Sequence, residues 1–152
     1  MASLDNVAMN SKLALLFVKT AMAYLVAGSV LLFMSLTSIV PLGHDPIFIM
    51  ELYGFVTMMI FGLSYIFIPG LSHSGFANYK LVEAEFALMN ISVIALVVAM
   101  LQLIPASLSK MVAPVAFAAL LLGILIHVVN IMRMVSKKNV VVKAPDGKTA
   151  QL

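Results

Sequence analysis

The segment IFIMELYGFVTMMIFGLSYIFIP, residues 47–69, carries a single acidic or basic side chain, Glu51, among apolar and aromatic neighbours. A helix needs roughly 20 residues to cross the ~30 Å hydrocarbon core of a bilayer, and this run meets that length. Three further runs match it, at about residues 13–39, 86–104 and 112–135. The expected object is therefore an all-α, integral-membrane four-helix bundle. Composition agrees: 63% of the 152 residues are hydrophobic, 10% are charged and the mean hydropathy is +1.14. A soluble core of this size has no room to hide that much apolar surface.

One transmembrane domain, residues 1–135, uses nearly the whole chain, and a polar, Lys-rich tail follows at 136–152. Asp5 and the length of the first apolar run argue for a first spanning helix rather than a cleavable signal peptide. Four spans put both chain ends on one side. Lys12, Lys19, Lys80, Arg133, Lys137, Lys138, Lys143 and Lys148 fall on that side, and Lys110 alone falls on the other. This positive-inside bias predicts cytoplasmic N- and C-termini, in a cell or inner membrane. The net charge of +3 is accounted for by that topology, so no nucleic-acid partner is expected. The absence of cysteine excludes disulfides, thiolate metal sites, iron–sulfur clusters and covalent heme attachment.

Breaks between the spans have local causes. Pro41, Gly43 and Pro46 separate the first two, Pro69-Gly70 closes the second, and Pro105 closes the third. Pro114 is expected in the first turn of the fourth helix, where its missing N–H costs little. The inner loop is placed at 70–85, and Pro145-Asp146-Gly147 reads as a turn in a flexible tail. Within the tail, Val140 to Val142 offers a strand that a partner chain could pair with.

Spacing by three or four residues puts Glu51, Gly54, Met58, Gly62, Tyr65 and Pro69 on one helical face. Thr20, Tyr24, Gly28 and Ser35 share a face of the first helix. Ser92, Ala95, Ala99 and Gln102 do so on the third, and Ala116, Gly123, His127 and Asn130 on the fourth. Small residues let membrane helices approach closely, so Gly28, Gly54, Gly62 and Gly123 are the expected packing positions. They would serve within the bundle, or between this chain and other membrane subunits or copies of itself.

Ionisable groups inside a bilayer are costly and are usually paired or functional. Lys19, Glu51, Glu85, His127 and Asn130 form the candidate intramembrane polar set. Glu83 and Glu85 are expected at the start of the third helix, where acids suit the positive helix end. Glu85, His127 and Asn130 are expected to converge near the inner leaflet, with Lys19 adding positive charge. Among the histidines, His44 and His73 fall in loops, which leaves His127 as the candidate axial heme ligand, with Met as its partner. The 12 methionines are scattered among Leu and Val positions, as flexible packing residues rather than a copper motif. No nucleophile elbow, phosphate loop or zinc motif occurs, so no metal, no resident cofactor and no catalytic residue are expected.

Part of the chain also resembles a known family. Gly54-Phe55 early in the second helix, Ile60-Phe61-Gly62 followed by Tyr65, and the closing Pro69 resemble the second-helix signature of small stand-alone relatives of the heme–copper oxidase and nitric oxide reductase large subunit. Glu85-Phe86-Ala87-Leu88-Met89-Asn90 is similar to the His-Phe-Trp-Leu-x-Asn start of their next helix. The resemblance covers about residues 47–94 and departs at the ligands. No histidine precedes Gly54 in the second span, and Glu85 stands where the family has a histidine. The resemblance thus implies a shared scaffold and a setting near respiratory-chain enzymes, without heme binding or oxygen reduction. The expected function is a non-catalytic accessory subunit of an energy-converting, oxidase-like membrane complex. A small heme protein built on His127 and an oligomeric transporter are the alternatives.

Overall fold

The computed structural model describes the backbone of residues 2–37, 39, 43–72, 78–136, 142–143 and 149–150, and the side chains of 11–37, 39, 43–69 and 78–136. Helix α1 runs Ala2–Leu36, α2 His44–Ile49, α3 Met58–Ser72, α4 Tyr79–Met100 and α5 Ala106–Ser136. A π-helical segment, Met50–Thr57, joins α2 to α3 without a break, so these three pieces form one span. Four helical stretches are long and apolar enough to cross a membrane: Ser11–Leu36, His44–Pro69, Tyr79–Met100 and Ala106–Ser136. In the tail, β1 (Val142–Lys143) pairs antiparallel with β2 (Thr149–Ala150). Val142 thus pairs within the tail itself; Val140, Val141 and the expected turn at 145–147 lie outside the described residues.

Several helix ends differ from the sequence expectation, each for a local reason. The third helix begins at Tyr79, not near residue 86, because Asn78 caps it: its side-chain oxygen accepts from the Lys80 N–H at 3.1 Å. Glu85 consequently sits well inside the helix rather than in its first turn. That helix stops at Met100, before Pro105, where the chain reaches Gln102 with φ 56°. Pro105 does not merely end one helix; its carbonyl accepts from the Leu108 and Ser109 N–H groups, both at 2.9 Å, and starts α5. Pro114 therefore lies inside α5 and not in its first turn. Pro69 likewise lies inside α3, which continues to Ser72. Pro46, expected in a loop, occupies the first turn of α2, where a helix has no use for its missing N–H.

Consecutive long helices joined by short connections run antiparallel, and the contacts follow that order. The Gly-rich face of the second span lies on α1. A Cβ on Gly62 would meet the Ala14 carbonyl oxygen at 2.9 Å, and a Cβ on Gly54 would meet the Tyr24 ring at 2.6 Å. Gly28 faces the Glu51 side chain, and Gly123 faces Met89 across the α4–α5 seam. The four glycines are thus used within the chain, where small residues permit close backbone approach. Phe17 of α1 sits at the centre of an aromatic group with Phe61, Tyr65 and Phe86, its ring edge-on to Phe86 at 5.0 Å. Around it pack Met58, Met89, Val93, Leu96, Leu120 and Met134. The opposite faces expose rows of large apolar side chains, such as Val26, Val30 and Phe33 on α1 and Leu121, Leu125 and Val128 on α5. An apolar exterior of this kind is what a lipid-facing surface requires.

Candidate functional site

Polar side chains gather in the half of the bundle nearest the chain ends and the 70–78 connection. Tyr65 lies towards the end of the second span, Glu85 two turns into α4, and His127 and Asn130 two turns before the end of α5. Antiparallel packing brings these three levels together. Glu85 is fully buried, Asn130 is 2% exposed and His127 is 7% exposed. Buried polar groups are tolerated only when paired, and the pairing here is complete. His127 Nδ1 lies 2.9 Å from Glu85 Oε1. The Tyr65 hydroxyl donates to Glu85 Oε2 at 2.6 Å and accepts from Asn130 Nδ2 at 3.0 Å. His127 Nε2 lies 3.1 Å from Ser64 Oγ, and Ser64 donates to the Phe61 carbonyl at 2.8 Å.

The imidazole is also held sterically. Phe61 stacks flat on it, with centroids 3.7 Å apart and 6° between planes, and Tyr65 meets it edge-on at 5.0 Å. Two aromatic contacts and two hydrogen bonds leave the ring one orientation.

The Ser64 hydroxyl has one hydrogen and two acceptors in reach, the Phe61 carbonyl and His127 Nε2, so the tautomer of the imidazole sets the direction of the Ser64–His127 bond. A carboxylate and an imidazole placed together in a low-dielectric interior compensate each other, because an isolated buried charge is far costlier than a pair.

Ser64, His127 and Glu85 have the connectivity of a hydrolase triad, nucleophile to Nε2 and carboxylate to Nδ1. The rest of such a site is missing around them. The serine hydroxyl lies within reach of its own helix's Phe61 carbonyl, and the neighbouring amides of α3 are committed to helical bonds, so none is left to bind an oxyanion. The chemistry this arrangement supports is the holding and transfer of a proton.

The remaining candidates lie elsewhere. Lys19 is exposed on the outer face of α1 and does not join the cluster. Glu51 is half-buried farther along the second span, its Cγ packed towards Gly28. A second, smaller polar contact connects α1 to α4: the Tyr24 hydroxyl donates to Asn90 Oδ1 at 3.0 Å, and Asn90 Nδ2 donates to the Phe86 carbonyl. His44 is exposed next to Gly43, and His73 lies outside the described residues. Among the described residues no group of three or more His, Asp or Glu is arranged to hold a metal ion.

Sequence reading found Glu85, His127 and Asn130 but missed Ser64 and Tyr65 as their partners. Tyr65 shares the packing face of the second span with Gly62, and its hydroxyl is the available signal. A buried Tyr on a membrane helix needs an acceptor, and Glu85 was the nearest acid at that depth. Cavities bordering the described residues include two of note. One of about 640 Å³ is lined in part by Asp45, Gln102, Ser109 and Lys110. The other, about 380 Å³, is an apolar groove between α4 and α5 lined by Ser92, Ala95, Ala116 and Ala119 among others. Neither cavity is lined by a residue of the Glu85 cluster.

No protein-family model matches the chain, and no curated protein or solved structure matches it either.

Proposed function

We propose that this chain is a non-catalytic accessory subunit of a larger energy-converting membrane complex of the oxidase or oxidoreductase type, with both termini cytoplasmic. The observation that carries the reading is the closed polar interior. Ser64, Tyr65, Glu85, His127 and Asn130 satisfy one another across three spans. A bundle so arranged is a rigid insert rather than a substrate chamber. The resemblance of residues 47–94 to oxidase-related scaffolds supports this type of complex, and the lysine asymmetry supports the orientation. Because the glycine faces are used internally, partner subunits would meet the chain on its other faces, among them the α4–α5 groove with Ala95, Ala116 and Ala119.

Purification in mild detergent with identification of co-eluting subunits tests this reading. Stoichiometric recovery with membrane oxidoreductase subunits is expected. Recovery solely as a free monomer, from cells in which the chain is expressed at its natural level, would remove it. The heme reading through His127 is less favoured, because both ring nitrogens are engaged and a heme iron would have to displace Ser64 from Nε2. A Soret band that vanishes in His127→Ala would reverse this ranking.

A further inference from the structure

We propose that the cavity at the end of the bundle opposite the Glu85 cluster binds the phosphoethanolamine head group of a zwitterionic phospholipid, with Asp45 on its ammonium and Lys110 on its phosphate. The inference does not depend on the accessory-subunit reading, and either can fail without the other.

This cavity, of about 640 Å³, is walled by the start of the second span, the end of α4 with the turn that follows it, and the first turns of α5. Its volume falls in the usual range of small-molecule sites, roughly 300–1,000 Å³. Asp45 comes from the first turn of α2, Gln102 from the α4–α5 turn and Lys110 from the second turn of α5. The turn is fastened where it meets α5, since the Ser109 hydroxyl donates to the Ala99 carbonyl at 2.9 Å. Gln102, at φ 56°, is the one side-chain-bearing residue in the left-handed region among the described residues. Backbone strain of this kind persists only where the surroundings enforce it, and it gathers at ligand-binding sites.

Three polar side chains thus line one cavity without partners. No hydrogen bond or ion pair holds the Asp45 carboxylate, the Gln102 amide or the Lys110 ammonium among the described residues. Asp45 and Lys110 border the same space and do not close on each other. Opposite charges kept apart in this way suit a ligand that carries both signs. A plain anion would meet Asp45 and a plain cation would meet Lys110, and like charges brought together are unfavourable. Much of the remaining lining is apolar, with Ala99, Met100, Ile104 and Ala113, so the ligand has an apolar portion as well.

Position and chemistry narrow the class. The cavity lies at the ends of the second, third and fourth spans, which is the level of the head-group layer for helices that cross a bilayer. A zwitterion with an apolar body at that level is a phospholipid. No aromatic side chain lines the cavity, so it lacks the cage that recognises a quaternary ammonium such as that of choline. A primary ammonium has three N–H donors, and the Asp45 carboxylate and the Gln102 carbonyl oxygen are acceptors for them. The phosphate falls to Lys110. The Ala106 N–H, in the cavity lining and ahead of the first α5 bonds to the Pro105 carbonyl, adds a donor for it. The glycerol and the first acyl carbons rest on the apolar lining.

Native mass spectrometry of the full-length protein tests this. The protein in mild detergent is titrated with phosphatidylethanolamine, phosphatidylcholine and phosphatidylglycerol carrying identical acyl chains. One phosphatidylethanolamine should be retained on the order of tenfold more tightly than either of the others, the scale of a hydrogen bond to a charged group. Asp45→Asn should abolish the preference over phosphatidylglycerol. Lys110→Gln should weaken all three lipids by a similar factor and leave their order unchanged. Both positions are exposed, where substitutions rarely disturb folding. Soluble phosphoethanolamine should compete only at about tenfold excess or more, because it forgoes the apolar lining. Equal retention of the three lipids by wild type, retention unaltered by either substitution, or soluble phosphoethanolamine binding as tightly as the lipid overturns the assignment. The wild-type comparison decides the matter even if a variant fails to fold.

Discussion

Replacing Gly62 by alanine puts a close approach between this glycine and the backbone of α1 under a defined load. The new methyl carbon would lie 2.9 Å from the Ala14 carbonyl oxygen, 2.9 Å from Val18 Cγ2 and 3.0 Å from Phe17 Cβ. Ordinary contact starts near 3.4 Å, so α1 must retreat by about half an ångström along this seam. The obstruction cannot be relieved by a rotamer change, because the first atom met is backbone. Overpacking of this kind costs about 1–3 kcal/mol, and a gap of that width forfeits roughly a quarter of each dispersion contact made by Ala14, Phe17 and Ala21. Alanine's higher helix propensity returns up to about 1 kcal/mol. The net expectation is a loss of about 1–2 kcal/mol, with α1 separating first. Gly123→Ala is the internal control. Its Cβ would approach Met89 Sδ at 2.7 Å, but a thioether can swing aside, so the loss should stay under about 1 kcal/mol. Equilibrium unfolding, by titrating a denaturing detergent into mild-detergent micelles and following helix content, measures both. Gly62→Ala within about 0.5 kcal/mol of wild type, or Gly123→Ala the costlier of the two, would refute the reasoning from close approach.

Two other substitutions follow from the same packing. Tyr65→Phe strips Glu85 of one donor and leaves Asn130 Nδ2 without its acceptor; the same unfolding assay should show a loss of about 1–3 kcal/mol, and a change below about 0.5 kcal/mol would mean that the hydroxyl is not holding the cluster. Gln102→Gly relieves a left-handed backbone at φ 56° that costs a side-chain-bearing residue about 1–2 kcal/mol. Because glycine also loosens the unfolded chain, the net gain should be about 0.5–1 kcal/mol, while Gln102→Val should destabilise; equal stability of the two variants would argue against strain at this turn.

The spans were legible because apolar length is a one-dimensional property. Four runs long enough to cross a bilayer need no partner information, and the glycine positions follow from spacing on a helix. Helix ends were less legible. The cap at Asn78 is a single polar residue beyond the apolar run, and Pro69 reads as a stop and Pro114 as a first-turn residue although each lies inside a helix. Membrane helices tolerate interior proline better than soluble ones because neighbouring helices and side chains satisfy the freed groups. Depth along each helix was enough to group Glu85 with His127 and Asn130. The angular position was harder to read. Lys19 lies at a comparable depth but is exposed on the outer face of α1, and Ser64 faces the imidazole from a position adjacent to the glycine stripe rather than on it.

The wide turn at Met50–Thr57 has an outcome for how this span tolerates length changes. There the Thr57 hydroxyl reaches back five residues to the Leu52 carbonyl, at 2.9 Å, and the winding holds more residues per turn than the helices on either side. Loss of one residue from this stretch lets it tighten into ordinary α-helix, with Tyr65 and Gly62 still aimed at their neighbours. The same loss within α3 would swing everything upstream by about 100° relative to everything downstream and turn Gly54 away from Tyr24. The second span therefore carries a built-in slack joint, and shortening by one residue is absorbed there while the rest of the helix keeps its register.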